Sequence, residues 1–231
     1  MYWTHKVEGG PRRVNHAAVA VGEYVFSFGG YCTGENFRDE DLFMPVYVLN
    51  TTTLRWRKIL PPEGDDEAAH EADLNWPSER YGHSAVEYQG KVFIFGGRND
   101  NQASNAVHVF DTSTMSFTDG LTTGSPPGAR DGHAACRVGK EMYIYGGYED
   151  EMGLFPNDIY ALDLERMHWQ QVVIKGPVPP ARDFHTLTAI GHRIFLWGGR
   201  SQDPTFFFPN PHSEVYYSNA YVFVRSIHYF T

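Results

Sequence analysis

Four short elements set a guanidinium beside an imidazole at one fixed spacing: Arg13 with His16, Arg80 with His83, Arg130 with His133, and Arg182 with His185. With 11 histidines in the chain, these pairs invite a metal or acid–base reading. The repetition argues against it. Ligands that converge on one metal need no regular period along the chain. A residue required once per repeat is explained by hydrogen bonds at the junctions between repeats, because buried polar groups must find partners. The other signatures of catalysis are missing from the sequence: there is no His-x-x-x-His, Cys-x-x-Cys or Gly-x-Ser-x-Gly, and the glycine pairs lack the context that cradles phosphate. The expected protein is not an enzyme, and no metal or cofactor is expected. Cys136 falls in a strand-forming run and reads as core, whereas Cys32 lies in a loop with no adjacent basic residue to activate it.

The elements that must position these residues are legible from spacing. Each arginine stands 16 residues before the first glycine of a pair: Gly29-Gly30, Gly96-Gly97, Gly146-Gly147 and Gly198-Gly199, whose first glycines are 67, 50 and 52 residues apart. Between arginine and glycine pair, two apolar alternating runs flank a single turn glycine at Gly22, Gly90, Gly139 or Gly191. That pattern predicts a β-hairpin in each copy, since β-branched and aromatic residues suit a pleated surface. A third strand follows a loop of variable length and ends at Asn50, Asp111, Asp163 or Arg225; six residues past the first three ends, Trp56, Phe117 or Trp169 opens a fourth strand. Four short strands in units of about 50 residues are the blades of a β-propeller. The class is all-β, and 1–231 is read as a single domain with repeats at about 13–60, 80–121, 130–174 and 182–231.

The ends of the chain admit two readings. Counting from Arg225, the fourth strand of the last repeat should begin at Thr231, the last residue, so it is expected to be missing. The opening Met1-Tyr2-Trp3-Thr4 resembles Met167-His168-Trp169-Gln170, so residues 1–7 are expected to be an orphan fourth strand. That strand could close a four-blade ring and remove exposed sheet edges. A partial propeller, an arc of a larger ring, is the favoured expectation.

Composition narrows the partners. The chain has 231 residues, 19 Lys plus Arg against 28 Asp plus Glu, and a net charge of −9, which disfavours nucleic acid held by bulk charge. No apolar run approaches the roughly 20 residues of a membrane span, and the N-terminus lacks a secretory pattern. A cytoplasmic or nuclear location follows as the expectation. Residues 61–76 carry six acids and read as a solvated loop; Phe206-Phe207-Phe208 in a proline-rich stretch reads as packing on a neighbouring blade. Asn50-Thr51-Thr52 fits a glycosylation acceptor but reads as a turn.

Function on a propeller sits where the scaffold presents varying residues. The residue after each glycine pair varies as Tyr31, Arg98, Tyr148 and Arg200, and the pair inside Arg-x-x-His varies as Val14-Asn15, Tyr81-Gly82, Asp131-Gly132 and Asp183-Phe184. These positions are the candidates for a pocket.

The glycine pairs, the six-residue step from Asp to an aromatic, and the Arg-x-x-His elements resemble kelch repeats over nearly the whole chain. The resemblance implies a propeller of about six blades. It implies a substrate receptor that binds the carboxyl-terminal peptides of target proteins, with Arg200 gripping the terminal carboxylate and Tyr148 as a wall. An arginine suits that task because its planar fork offers two charge-assisted hydrogen bonds. The resemblance further implies a cullin-2 RING ubiquitin ligase recruited through elongin B and C by a helical segment after the propeller, and no helical period follows Tyr221. A chromatin-associated or scaffold kelch protein that binds basic segments is the alternative, as is a truncated form without activity of its own. The copper-oxidase kelch enzymes need a Tyr–Cys crosslink and paired histidines that have no counterpart in this pattern.

Overall fold

Apolar alternation and turn glycines produce short antiparallel strands, and the computed structural model describes them over residues 9–32, 43–61, 75–118, 120–202 and 214–224. Those residues are all-β and contain no helix. The chain divides into two compact units, Met1–Leu121 and Thr122–Thr231.

The first unit holds two four-stranded meanders. In the first blade, β1 (Ala17–Val21), β2 (Tyr24–Phe28), β3 (Val46–Asn50) and β4 (Arg55–Ile59) follow in spatial order. The second blade repeats this with β5 (Ser84–Tyr88), β6 (Lys91–Phe95), β7 (Val107–Asp111) and β8 (Ser116–Thr118). The blades pack through one apolar layer that includes Phe26, Phe28, Val46, Ile94, Phe110 and Phe117. Trp76 completes it, and its indole N–H donates to the Met44 carbonyl at 2.9 Å. The predicted acidic loop therefore ends differently from expectation. Its last residue, Trp76, is core rather than solvated; positions 62–74 lie outside the described residues.

The second unit opens with β9 (Thr123–Gly124), which adds in parallel to the outer edge of the third blade. That blade is β10 (Ala134–Val138), β11 (Glu141–Tyr145), β12 (Ile159–Asp163) and β13 (His168–Gln171). In the fourth, β14 (Thr186–Ile190) pairs with β15 (Arg193–Trp197) and β15 with β18 (Ala220–Val224), while β16 (Arg200–Gln202) and β17 (Glu214–Tyr216) form a separate small ribbon. The core of this unit joins Cys136, Tyr143, Tyr145 and Ile159 to Ile194 and Leu196. Cys136 is buried as expected, and burial pushes its thiol up to about 12; Cys32 is half-buried.

The six-residue step has a local cause. Asn50 takes the N–H groups of Thr52 and Thr53 on its side-chain oxygen at 2.9 and 2.8 Å; Asp111 takes that of Ser113 at 2.9 Å; Asp163 takes those of Glu165 and Arg166, both at 3.0 Å. These are Asx turns. Each passes through a non-glycine residue at positive φ, Leu54, Met115 or Met167, and places Trp56, Phe117 or Trp169 second in the fourth strand.

The ladder corrects one boundary. Tyr24 pairs with Asn50, Lys91 with Asp111, Glu141 with Asp163, and Arg193 with Val224. Val224, not Arg225, therefore occupies the Asx position of the fourth repeat. The predicted closing strand at 1–7 and the loop 206–211 lie outside the described residues.

Candidate functional site

The repeated arginines and histidines fasten the scaffold. Arg130 Nη1 donates to the Gly146 carbonyl at 3.1 Å and Arg182 Nη1 to that of Gly198 at 2.7 Å, which accounts for the constant spacing of 16. Arg80 makes the same bond to Gly96 at 3.4 Å, and Arg13 donates to Gly30 at 3.1 Å. Carboxylates complete the fork: Glu79 for Arg13, and Glu149 with Asp158 for Arg130. Arg182 donates to the Asn219 side-chain oxygen at 3.3 Å and lies over the Tyr217 ring at 3.9 Å.

Two of the histidines, His83 and His185, work across the blade junction inside their units. His83 contacts the Phe28 carbonyl at 3.0 Å through Nε2. Burial lowers its pKa to about 3, with the nearby Arg80 charge adding to the effect; His185, packed edge-on to Tyr145, falls to about 4 for the same reasons. Both are neutral at pH 7. The glycine pair answers this geometry. A Cβ at Gly29 would lie 2.5 Å from the Arg80 carbonyl oxygen and 2.7 Å from His83, and one at Gly146 would lie 2.4 Å from the Arg182 carbonyl oxygen. Among the described residues no group of three or more His, Cys, Asp or Glu side chains could hold a metal ion.

The positions that vary between repeats are brought together two by two. Val14 and Tyr31 exchange N–H···O bonds of 2.9 and 2.7 Å; Tyr81 and Arg98 exchange two of 2.9 Å; Asp131 and Tyr148 bond at 3.2 and 2.9 Å; Asp183 and Arg200 bond at 2.9 and 3.0 Å. Every blade thus ends in a two-residue bridge whose side chains differ. In the first unit Tyr31 and Tyr81 meet edge-to-face at 5.5 Å, next to Arg98. In the second unit Tyr148 packs on Phe155 at 5.0 Å, a partner that no repeat spacing signals.

Arg200 is the most elaborated of these positions. Its Nε donates to Asp183 at 3.2 Å, its Nη1 pairs with Glu214, and its guanidinium lies 5.3 Å from the Phe184 ring centre. Asp183 is buried, and desolvation pushes its carboxyl up to about 6 even though the Arg200 charge pulls it down; Asp131 nearby adds to the rise. Glu214 is exposed and sits across the β16–β17 ribbon, so nothing in the repeat pattern announced it.

Phe184 stands out in its backbone. The third position of the Arg-x-x-His element is left-handed in every copy: Asn15 at φ 55, Gly82 at 67, Gly132 at 65 and Phe184 at 48. Its N–H bonds to the Gly132 carbonyl at 2.8 Å, as that of Gly82 bonds to Asn15 at 2.9 Å. Asn and Gly accept this conformation readily, whereas a bulky aromatic there is strained by roughly 1–3 kcal/mol. The Phe184 ring nevertheless remains 45% exposed beside Arg200.

The profile of the KLHDC2/KLHL20/DRC7 Kelch-repeats domain matches residues 15–223. The chain belongs to the kelch-repeat family. Among kelch proteins it is 44% identical to Kelch domain-containing protein 3 of Bos taurus and 43% to that of Homo sapiens, each over 96% of this chain and 56% of the relative. Kelch domain-containing protein 2 of Bos taurus is 25% identical over 83% of this chain and 64% of its own length. This kelch chain therefore spans little more than half the length of the Kelch domain-containing protein 3 relatives it matches.

Proposed function

We propose that the chain is a non-catalytic protein-recognition module that reads the carboxyl-terminal ends of partner proteins at the Arg200 rim. In the longer protein, that module serves as the substrate receptor of a cullin-2 RING ubiquitin ligase joined through elongin B and C. The observation that carries the binding reading is Phe184: an exposed aromatic kept at positive φ, beside an arginine oriented from below by a buried aspartate. Strain of this kind persists where the surroundings impose it, and it clusters at ligand clamps. Asp183 fixes the guanidinium, Phe184 gives a flat wall for a terminal glycine and its peptide plane, and a peptide carboxylate replaces Glu214 on the outer side of the fork.

Fluorescence anisotropy with peptides ending in glycine, free or amidated, tests this. The free peptide should bind, and both amidation and Arg200→Ala should abolish binding. Equal binding of both peptide forms that collapses with added salt would favour the scaffold reading, in which the acidic surface holds basic segments. No binding to either peptide would sink the carboxyl-terminal reading for this chain.

A further inference from the structure

The four repeated arginines do not end in the same company. Arg13 has Glu79, Arg80 gives its Nη2 to the Ser78 hydroxyl at 3.2 Å, and Arg130 is held by Glu149 at Nη2 and by Asp158 at 2.8 Å through Nη1. Arg182 is wholly buried, at 0% exposed. It donates from Nε to the Pro180 carbonyl at 3.0 Å, and from Nη1 to the Gly198 carbonyl at 2.7 Å and the Asn219 side-chain oxygen at 3.3 Å. Its Nη2 is buried and reaches no acceptor among the described residues. The Tyr217 ring at 3.9 Å covers a face of the guanidinium, which leaves the N–H donors in the guanidinium plane unspent.

The third blade shows what the fourth lacks. Glu149 stands two residues after Gly147, as Ser201 stands two residues after Gly199; Asp158 stands just before β12, as Asn219 stands just before β18. Each acid that neutralises Arg130 is thus an uncharged residue beside Arg182. The position that supplies Arg80 with a hydroxyl, Ser78, is occupied by Pro180, which has no polar side-chain atom. Ser201 is buried, and its side chain is too short to carry an oxygen as far as the carboxylate of Glu149. The outcome is a desolvated positive charge with no carboxylate partner among the described residues. Such a charge is costly unless an anion accompanies it.

We propose that the fourth blade binds a small inorganic anion of the size of chloride, in the place that corresponds to the Glu149 carboxylate, held by Arg182 Nη2 and the Ser201 hydroxyl. Burial sets the size: a guanidinium without exposed surface is closed to an anionic group carried on a larger molecule, whereas a single ion can be enclosed with it. A spherical ion also accepts N–H and O–H donors from any direction. This site is separate from the Arg200 rim, because Arg200 and Ser201 are successive residues of β16 and point to opposite faces. The ion is a structural counter-charge for the arginine that ties the fourth hairpin to its glycine pair.

Amide hydrogen exchange of Arg193–Trp197, read in the full chain at fixed ionic strength, tests the site. Exchanging gluconate for chloride should raise protection of these amides, by about tenfold at a chloride concentration of about ten times the dissociation constant. Protection of Tyr24–Phe28, whose arginine already has Glu79, should not change. Ser201→Glu, which restores the carboxylate of the third blade, should raise protection in gluconate and abolish the chloride response. Asn219→Asp alters charge with almost no change of shape and should reduce the chloride response severalfold. A chloride response of equal size in the wild type and both variants would be a general salt effect, and a wild type indifferent to chloride would leave Arg182 without an ion. Either result overturns the proposal.

Discussion

The two units are built from the same parts, and they differ in how their cores are closed. In the first, Trp76 and Phe117 seal the layer between the blades, and the ring contacts run from Phe26 through Phe28 and Phe110 to Phe117. In the second, the equivalent layer is thinner, with Tyr143, Tyr145 and Phe223 bordering open volume. The lesson is that a kelch blade is completed by what packs against it, not by its own hydrogen bonds. All four blades have well-registered hairpins, but only a filled interface gives a close-packed core.

The largest expected effect comes from the glycine pairs, and it separates a fastened junction from an open one. Gly29→Ala and Gly146→Ala drive a methyl against the backbone carbonyls of Arg80 and Arg182, and both add left-handed strain. Each should cost about 3 kcal/mol or more, measured by denaturant unfolding. Gly198→Ala meets nothing closer than 3.8 Å and should cost only the conformational part, about 1 kcal/mol. If the three variants are equally harmful, the junction account fails.

Truncating the aromatics comes next. Phe117→Ala removes a side chain only 2% exposed from a sealed layer and should cost about 3–5 kcal/mol. Phe223→Ala borders existing volume and is half-buried, so a loss of about 2 kcal/mol is expected in the same measurement. A reversed order would contradict the difference in core closure.

Acid should also distinguish the units. In the first, burial holds both His83 and His108 at about 3, below the usual 6.5. The unfolded chain binds those protons first, so their contribution to stability is complete above pH 6.5 and is lost as pH falls toward 3, by roughly 1 kcal/mol per pH unit for each histidine. In the second, His185 loses stability in the same direction down to about 4, but Asp183, raised to about 6, works oppositely: its burden is present above pH 6 and is relieved as pH falls toward 3.8. Hydrogen exchange between pH 7 and 4 should therefore show the first unit loosening sooner. Asp183→Asn should steepen the acid response of the second, and an unchanged profile would remove Asp183 from the account.

Phe184→Gly gives the smallest and most diagnostic change. Relief of the positive φ should offset the lost ring contacts and leave stability within about 1 kcal/mol, or slightly raised, in thermal unfolding. Peptide affinity at the Arg200 rim should nonetheless fall. Stability and affinity dropping together would mean that the ring serves packing instead.

The parts of this architecture that the sequence displays are those with a fixed distance along the chain. Arg182 grips the Gly198 carbonyl across a hairpin of invariant length, so the spacing of 16 is the hydrogen bond itself. The Asx turn likewise converts a geometry into the six-residue step. What stayed hidden depends on loops of unequal length. Glu214 reaches Arg200 from a position with no counterpart in the repeat spacing. Phe155 meets Tyr148 by the same irregular route. Asp158 and Asn219, by contrast, share one register, just before the third strand, and each accepts from its blade's arginine. The end of β18 was misplaced by one residue for a related reason: the fourth repeat carries its long excursion before that strand, and only the Arg193 to Val224 pairing fixes the count.

The bridges between Val14 and Tyr31, Tyr81 and Arg98, Asp131 and Tyr148, and Asp183 and Arg200 are made by peptide groups. The peptide part of that fastening does not depend on which side chains it carries; the fourth bridge adds a side-chain bond from Arg200 Nε to Asp183 at 3.2 Å. Each blade therefore offers two interchangeable sockets at a fixed spacing, and the rim could be rewritten toward basic, acidic or aromatic ligands without redesigning a strand. A protein engineer would begin at the Tyr81–Arg98 pair, where both side chains are only half-buried.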